Sequence, residues 1–426
     1  MKTKITNAFI VKDFDEDIIF GDVVVEDDKI VYVGKMCDIE ADKVIDANKC
    51  LLMPGFVNCN TKASSILFKG LITEKKIDDK IYQTKKYEQL LTGSDAYFGT
   101  MLSCLEYAKN GITTVYENYI FPDQSAKAFA DCGIRAVVGV SQRYNAEKFL
   151  DEKQTEKLAK KIEDSNKNIS TSFYCSTVTN ADENMFDFCQ KLAKNKTFVS
   201  CSASETLEEV GRCASLNNDL SPIELLEDYG FFDHDVIVMH ATNVSQKDIQ
   251  ILSKNNVNVC ATVGNDYANS NGVAPIYQMM SNGINICLGS DYVAVNGRQD
   301  MFREMYLALS SQNILLGGRE LSAKDILKMA TINGARALKL DNVGQIKKGY
   351  FADMILIDLN DISCSTGKNI FENLIMSTTS QDVLMTMVNG KIIYQNGKFN
   401  FKKSKKSIIL KIKSLNQKFL DKSFHL

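Results

Sequence analysis

Histidine is nearly missing from this chain: 426 residues carry only His234, His240 and His425. A metal centre built on four imidazoles is excluded by that count. Tryptophan is absent altogether. No run of about 18 apolar residues and no leader-like N-terminal stretch occurs, so neither membrane spanning nor export is expected. An excess of basic residues is also missing. The net charge is −3, which argues against a nucleic-acid surface. The twelve cysteines include no Cys-x-x-Cys pair and fall singly in apolar stretches, as at Cys175, Cys201, Cys260 and Cys287. Buried free thiols in a reducing, cytoplasmic setting are expected.

What is present reads as a globular chain, 45% hydrophobic and 24% charged. Its length exceeds one ordinary core and suggests a large domain with a smaller one. Short strands open it, over Ile5–Val11, Asp22–Glu26 and Lys29–Val33, with Asp27-Asp28 as a hairpin turn. Strands return near the other end, at Met354–Asp358 and in a hairpin around Asn389-Gly390. Neither end has strands enough for a stable sheet, so the two are expected to pair. Between them apolar strands recur near residues 56–60, 113–117, 135–141, 171–176, 197–202, 236–241, 257–262 and 285–289, with helical stretches such as Ala96–Lys109 and Asp248–Lys254 separating most of them. Eight buried strands alternating with helices predict an α/β fold, a (β/α)8 TIM barrel, with a small β-sandwich built from both termini. The expected boundaries are 1–53 and 343–400 for the β-domain, 54–342 for the barrel, and 401–426 for a basic tail. In that tail, lysines surround Ile408, Ile412, Leu415 and Phe419 at helical spacing. An apolar stripe packed on the barrel is favoured over a membrane-surface helix.

Chemistry in such barrels sits at the C-terminal ends of strands, and there the motifs gather. Pro54-Gly55-Phe56-Val57-Asn58 opens the first strand, and Asn110-Gly111-Ile112-Thr113-Thr114 precedes the second. Ser204-Glu205-Thr206 follows the fifth, Met239-His240-Ala241 closes the sixth, and Gly289-Ser290-Asp291 follows the eighth. Asn333-Gly334-Ala335-Arg336-Ala337-Leu338 and Gly349 to Asp353 end the barrel. In order and spacing these resemble the amidohydrolase superfamily, in its branch of aminohydrolases, nucleobase and nucleoside-type deaminases and chlorohydrolases.

The resemblance implies a zinc or iron site with two histidines on strand one, one on strand five and an aspartate on strand eight. The matching positions here are Asn60, Lys62, Ser202 and Asp291. Neutral amide and hydroxyl oxygens are poor zinc ligands, and a lysine is a cation where a cation binds. No bound metal or other cofactor is therefore expected. Lys62 is expected to point into the pore and pair with Asp291, and possibly Glu205, in place of the metal, although a solvated loop position past the strand is the alternative. Cys59 and Cys201 each neighbour a changed position, but strict alternation would aim both at the helices. Glu205 and His240 match the family's proton-transfer and orienting residues. The plainer alternatives are a solvated acid at a helix start and a hydrogen-bonded barrel-mouth histidine. His234 is expected in a surface loop, and Asp353 to be structural.

The pocket walls depart from the family too, with no tryptophan after strand one, the charged run Lys75-Lys76-Ile77-Asp78-Asp79-Lys80, and Ala261-Thr262-Val263-Gly264-Asn265 on strand seven. The candidate site residues are Glu205, His240, Asp291 and Lys62. The expected function is a catalytically silent homologue that binds a small molecule, without nucleic-acid or membrane partners, and forms a homodimer as many relatives do. One alternative is an active hydrolase or deaminase of a small heterocyclic or amine substrate, using Glu205, His240 and Asp291 with an atypical or absent metal. A third is a reaction in which Lys62 is the amine nucleophile or base.

Overall fold

Five N-terminal strands start the chain: β1 (Lys2–Ile10), β2 (Ile19–Glu26), β3 (Lys29–Gly34), β4 (Lys43–Asp46) and β5 (Leu51–Pro54). In this computed structural model, every residue is described except 73–76, 179–187, 189–190, 194–197, 360–368 and 424–426. His425 and Lys75-Lys76 therefore lie outside the described residues.

Across Gly55 the chain enters the barrel. Its strands are β6 (Phe56–Thr61), β7 (Ile112–Glu117), β8 (Arg135–Val140), β9 (Ile169–Thr177), β10 (Val199–Ala203), β11 (Val236–His240), β12 (Asn258–Ala261) and β13 (Ile286–Leu288). All seven successive pairs are parallel and follow chain order. The barrel closes at its mouth, where Thr61 bridges Asp291 and the Asp291 amide donates to the Asn60 carbonyl at 2.8 Å. Both faces of these strands are buried, which is why they read as apolar runs. In β11, for instance, Ile237 and Met239 pack in the inner core, while Val236 and Val238 join the layer beneath the helices.

The remaining strands, β14 (Met354–Ile357), β15 (Val383–Val388), β16 (Lys391–Gln395) and β17 (Lys398–Phe399), rejoin the N-terminal ones. β14 runs antiparallel to β5, with Met354 opposite Pro54. One nine-stranded sheet results, ordered β17-β16-β15-β14-β5-β1-β2-β3, with β4 paired to β1. It has its own core around Ile5, Val23, Leu52, Met354 and Met385. The Asn389-Gly390 turn has φ of 48° and 70°, the left-handed pair that a two-residue hairpin needs.

Arg135 at the start of β8 ties the two parts together. Its Nε lies 2.6 Å from Asp353 Oδ2, and Asp353 Oδ1 accepts from the Asn389 amide at 2.7 Å. Asp353 is structural, as its place in the returning strands suggested. The tail forms a helix, Lys405–Ser423, whose Ile408, Ile412, Leu415 and Phe419 are buried against the body of the chain. No helix among the described residues is long and apolar enough to cross a membrane.

Candidate active site

Strand ends bring the four candidate residues together. Lys62 follows β6, Glu205 follows β10, His240 ends β11, and Asp291 follows β13. Lys62 Nζ lies 2.6 Å from Asp291 Oδ1. His240 Nε2 faces two carboxylates, Glu205 Oε2 at 3.7 Å and Asp291 Oδ2 at 3.9 Å. Its other ring nitrogen, Nδ1, is 2.9 Å from Asp266 Oδ1 and 2.8 Å from Thr262 Oγ1. His240 and Asp291 are almost fully buried, while Lys62 and Glu205 are partly open to the mouth. Ser204, His240, Ala241 and Asp291 all adopt left-handed backbone (φ 48–71°), a conformation that non-glycine residues rarely keep without reason. His234 sits in the loop before β11, away from this group.

Charge decides the protonation states. Burial pushes the Lys62 ammonium down, but Asp291 outweighs it, and the amine is held above its ordinary value. The Asp291 carboxyl is pushed up by burial, yet Lys62 and His240 hold it below the usual carboxylate range. Burial also disfavours a charged His240, but Glu205 and Asp266 raise it to about 10, so it is an imidazolium at neutral pH. Two cations thus sit among three carboxylates.

The donor set does not suit a divalent ion. Asn60 is 1% exposed, and neither its amide oxygen nor its nitrogen has a partner. Its Cβ lies where a Cβ on Gly289 would come within 2.6 Å, so only glycine leaves it room there. The Ser202 hydroxyl, 3.4 Å from Tyr174 Oη, is neutral, and Lys62 occupies one oxygen of Asp291. Among the described residues, one group of donor atoms lies within 4.8 Å of one another: Glu205, His240 and Asp266. Asp266 is already committed there, accepting from Thr242, Thr262 and Asn271 and bonded to His240.

Two features escaped the pattern. Cys59 does not face the helices: it packs inside the barrel with Val57, Met239, Cys260 and Cys287. The register of β6 against β7 shifts between Asn58 and Thr61, which breaks the strict alternation on which the opposite expectation rested. Cys201 joins the layer beneath the helices, as alternation requires. Asp266 was also overlooked, although a carboxylate four residues past Thr262, beyond the end of β12, was a usable signal. Over the mouth, Glu88 of the helix Ile77–Leu90 accepts from Tyr119 Oη and from Arg143, both at 2.7 Å. Lys80 of that helix donates to the Ala268 carbonyl at 3.0 Å. The helix is thereby anchored from two sides.

The amidohydrolase family profile matches residues 51–393. The chain is 31% identical over 410 residues to 5'-deoxyadenosine deaminase of Methanosarcina barkeri (strain Fusaro / DSM 804), covering 92% of this chain and 93% of that one. It is 32% identical over 410 residues to 5-methylthioadenosine/S-adenosylhomocysteine deaminase of Thermococcus onnurineus (strain NA1), covering 92% and 94%. In fold it is similar to an adenosine deaminase from Xanthomonas campestris solved with zinc bound, with a TM-score of 0.91 at 22% identity over 98% of each chain. It is also similar to guanine deaminase from C. acetobutylicum with bound guanine, with a TM-score of 0.81 at 20% identity over 92% of this chain and 100% of that one. With a matched barrel, a sheet shared by both termini and deaminase homologues along nearly its whole length, the chain belongs to the amidohydrolase family.

Proposed function

We propose that this protein is a deaminase-type hydrolase. It takes an aminated heterocycle of the purine-nucleoside kind into the barrel mouth and replaces the exocyclic amine with oxygen, releasing ammonia. The deaminase relatives support an active enzyme better than the silent homologue expected from the changed ligand positions. The observation that carries the proposal is the placement of His240 Nε2 between Glu205 and Asp291, with Nδ1 fixed by Asp266.

That arrangement supplies proton transfer. Glu205 accepts a proton as water attacks the ring carbon bearing the amine, and the His240 imidazolium donates one to the adjacent ring nitrogen. Glu205 then passes its proton to the departing nitrogen, the C–N bond breaks, and the new hydroxyl returns a proton to His240. The products are an oxo-heterocycle and ammonia. Asp266 holds the His240 ring in place throughout, and Asp266 and Asp291 favour its charged form before the proton is given and after it is returned.

The test is ammonia release from 5'-deoxyadenosine, 5'-methylthioadenosine and S-adenosylhomocysteine. Turnover by the wild-type chain is expected, with a loss of about 10²–10⁴-fold in Glu205→Gln. No release from any aminated heterocycle would leave the second function, ligand binding without turnover. One observation favours that function: Lys62 holds an oxygen of Asp291 in a closed contact.

A further inference from the structure

We infer that the Lys62 ammonium is a resident substitute for a bound metal ion, a cation encoded in the chain that keeps the barrel mouth assembled. The inference goes beyond the deaminase proposal, because a barrel that binds ligand without turnover needs the same cation.

Position argues for it first. The Lys62 side chain leaves the end of β6 and reaches across the closure to Asp291, whose side chain is 2% exposed. The same Asp291 joins β13 to β6 through its backbone: its amide donates to Asn60, and its Cα pairs with Thr61. A carboxylate so placed and so buried needs a countercharge. Lys62 supplies one from the neighbouring strand. The ammonium also lies 5.8 Å from the centre of the Tyr292 ring, an arrangement that favours a cation.

The surroundings argue second. A divalent ion beside Asp291 would meet an ammonium at contact distance and would find an amide at Asn60 and a hydroxyl at Ser202. None of these is a ligand zinc takes readily. In the remaining cluster, Glu205, His240 and Asp266, both oxygens of Asp266 are already engaged: Oδ1 is bonded to His240 and accepts from Asn271, and Oδ2 accepts from Thr242 and Thr262. The carboxylates that a metal site would gather are present here, and two protein cations already sit among them.

The experiment uses the full chain, purified from zinc-supplemented cells and dialysed, with metal content and melting temperature measured together. Wild type is expected to retain only substoichiometric zinc and to melt at the same temperature with and without added zinc. Lys62→Ala is expected to lower the melting temperature, and n-propylammonium, a free version of the lost head group, to restore part of it. The triple variant Asn60→His, Lys62→His, Ser202→His is expected to hold one zinc per chain and to melt higher with zinc than without. Should the triple variant fail to fold, the wild-type and Lys62→Ala measurements still decide. One tightly held zinc in wild type, or a Lys62→Ala protein as stable as wild type, overturns the inference. Ammonia release enters none of these readouts, so the deaminase proposal fails or survives separately.

Discussion

Lys62 Nζ lies 2.6 Å from Asp291 Oδ1, so an ion pair joins the end of the first barrel strand to the end of the last. The same edges also meet through Asn58, which donates to the Ser290 hydroxyl at 2.7 Å and accepts from the Ser290 amide at 2.9 Å, and through the Asp291 amide on the Asn60 carbonyl. Removing Lys62 leaves a buried carboxylate without its nearest charge partner, a loss typically of about 3–5 kcal/mol. Lys62→Met is expected to lower stability by that order in urea unfolding. Adding Asp291→Asn to it should recover part of the loss, because the orphaned charge goes too. Equal stability of the wild type and the single variant would contradict the pairing.

The clasp between barrel and sheet behaves in the same way. Arg135 is buried on Asp353, and its guanidinium stacks 4.2 Å from the centre of the Phe351 ring. Arg135→Met is expected to cost about 3–5 kcal/mol, since Asp353 keeps its charge in a closed site. Circular dichroism during urea unfolding measures this, and an unchanged midpoint would show that the clasp contributes little.

The C-terminal helix is anchored by packing and by Lys418, which donates to Asp95 Oδ2 at 2.6 Å and to the Leu90 carbonyl at 3.2 Å. Phe419 is fully buried and meets Phe68 edge-on at 5.5 Å, and Phe68 in turn stacks on Tyr87 at 5.5 Å. Tyr87 precedes Glu88, the residue held above the mouth, so the helix is connected to the roof of the site. Phe419→Ala is expected to destabilise by about 3–5 kcal/mol. Hydrogen exchange should also quicken across the helix Ile77–Leu90, whereas a change confined to the tail would sever the proposed connection.

A buried carboxyl sets a pH dependence. Burial pushes Glu304 up to about 7, although Asn296 and the Gly264 amide hydrogen-bond it. Its unfolded value is near 4.3, so between about 4.3 and 7 the native state keeps a proton that the unfolded chain has released. The native state binds more protons in that window, and stability therefore falls as pH rises through it. Glu304→Gln removes the ionisation and should flatten the slope, narrowing the difference in melting temperature between about pH 4.5 and about pH 8. A variant that keeps the full wild-type slope would contradict the assignment.

Much of the architecture was legible because each barrel strand is a short apolar run and each motif sits where a strand ends. Glu205, His240 and Asp291 could be placed at the mouth for the same reason. Lys62 was harder, since a lysine just past a strand is usually solvated, and only its partner across the closure settles its direction. The inward turn of Cys59 was not legible at all. It comes from the register shift in β6, which depends on pairing with β7 and leaves no mark in the local pattern. The Glu88 roof was hidden because a helix from elsewhere in the chain brings it over the site, whereas Asp266, on the short helix Val263–Asn269 just after β12, left a usable signal.

A high-resolution crystal structure of the wild-type chain, grown with excess zinc and measured at the zinc absorption edge, tests the account most directly. The expected result is continuous density from the Lys62 side chain to Asp291, with no anomalous peak between Asn60, Ser202, His240 and Asp291. A strong anomalous peak at that position, with Lys62 swung away from Asp291, contradicts it.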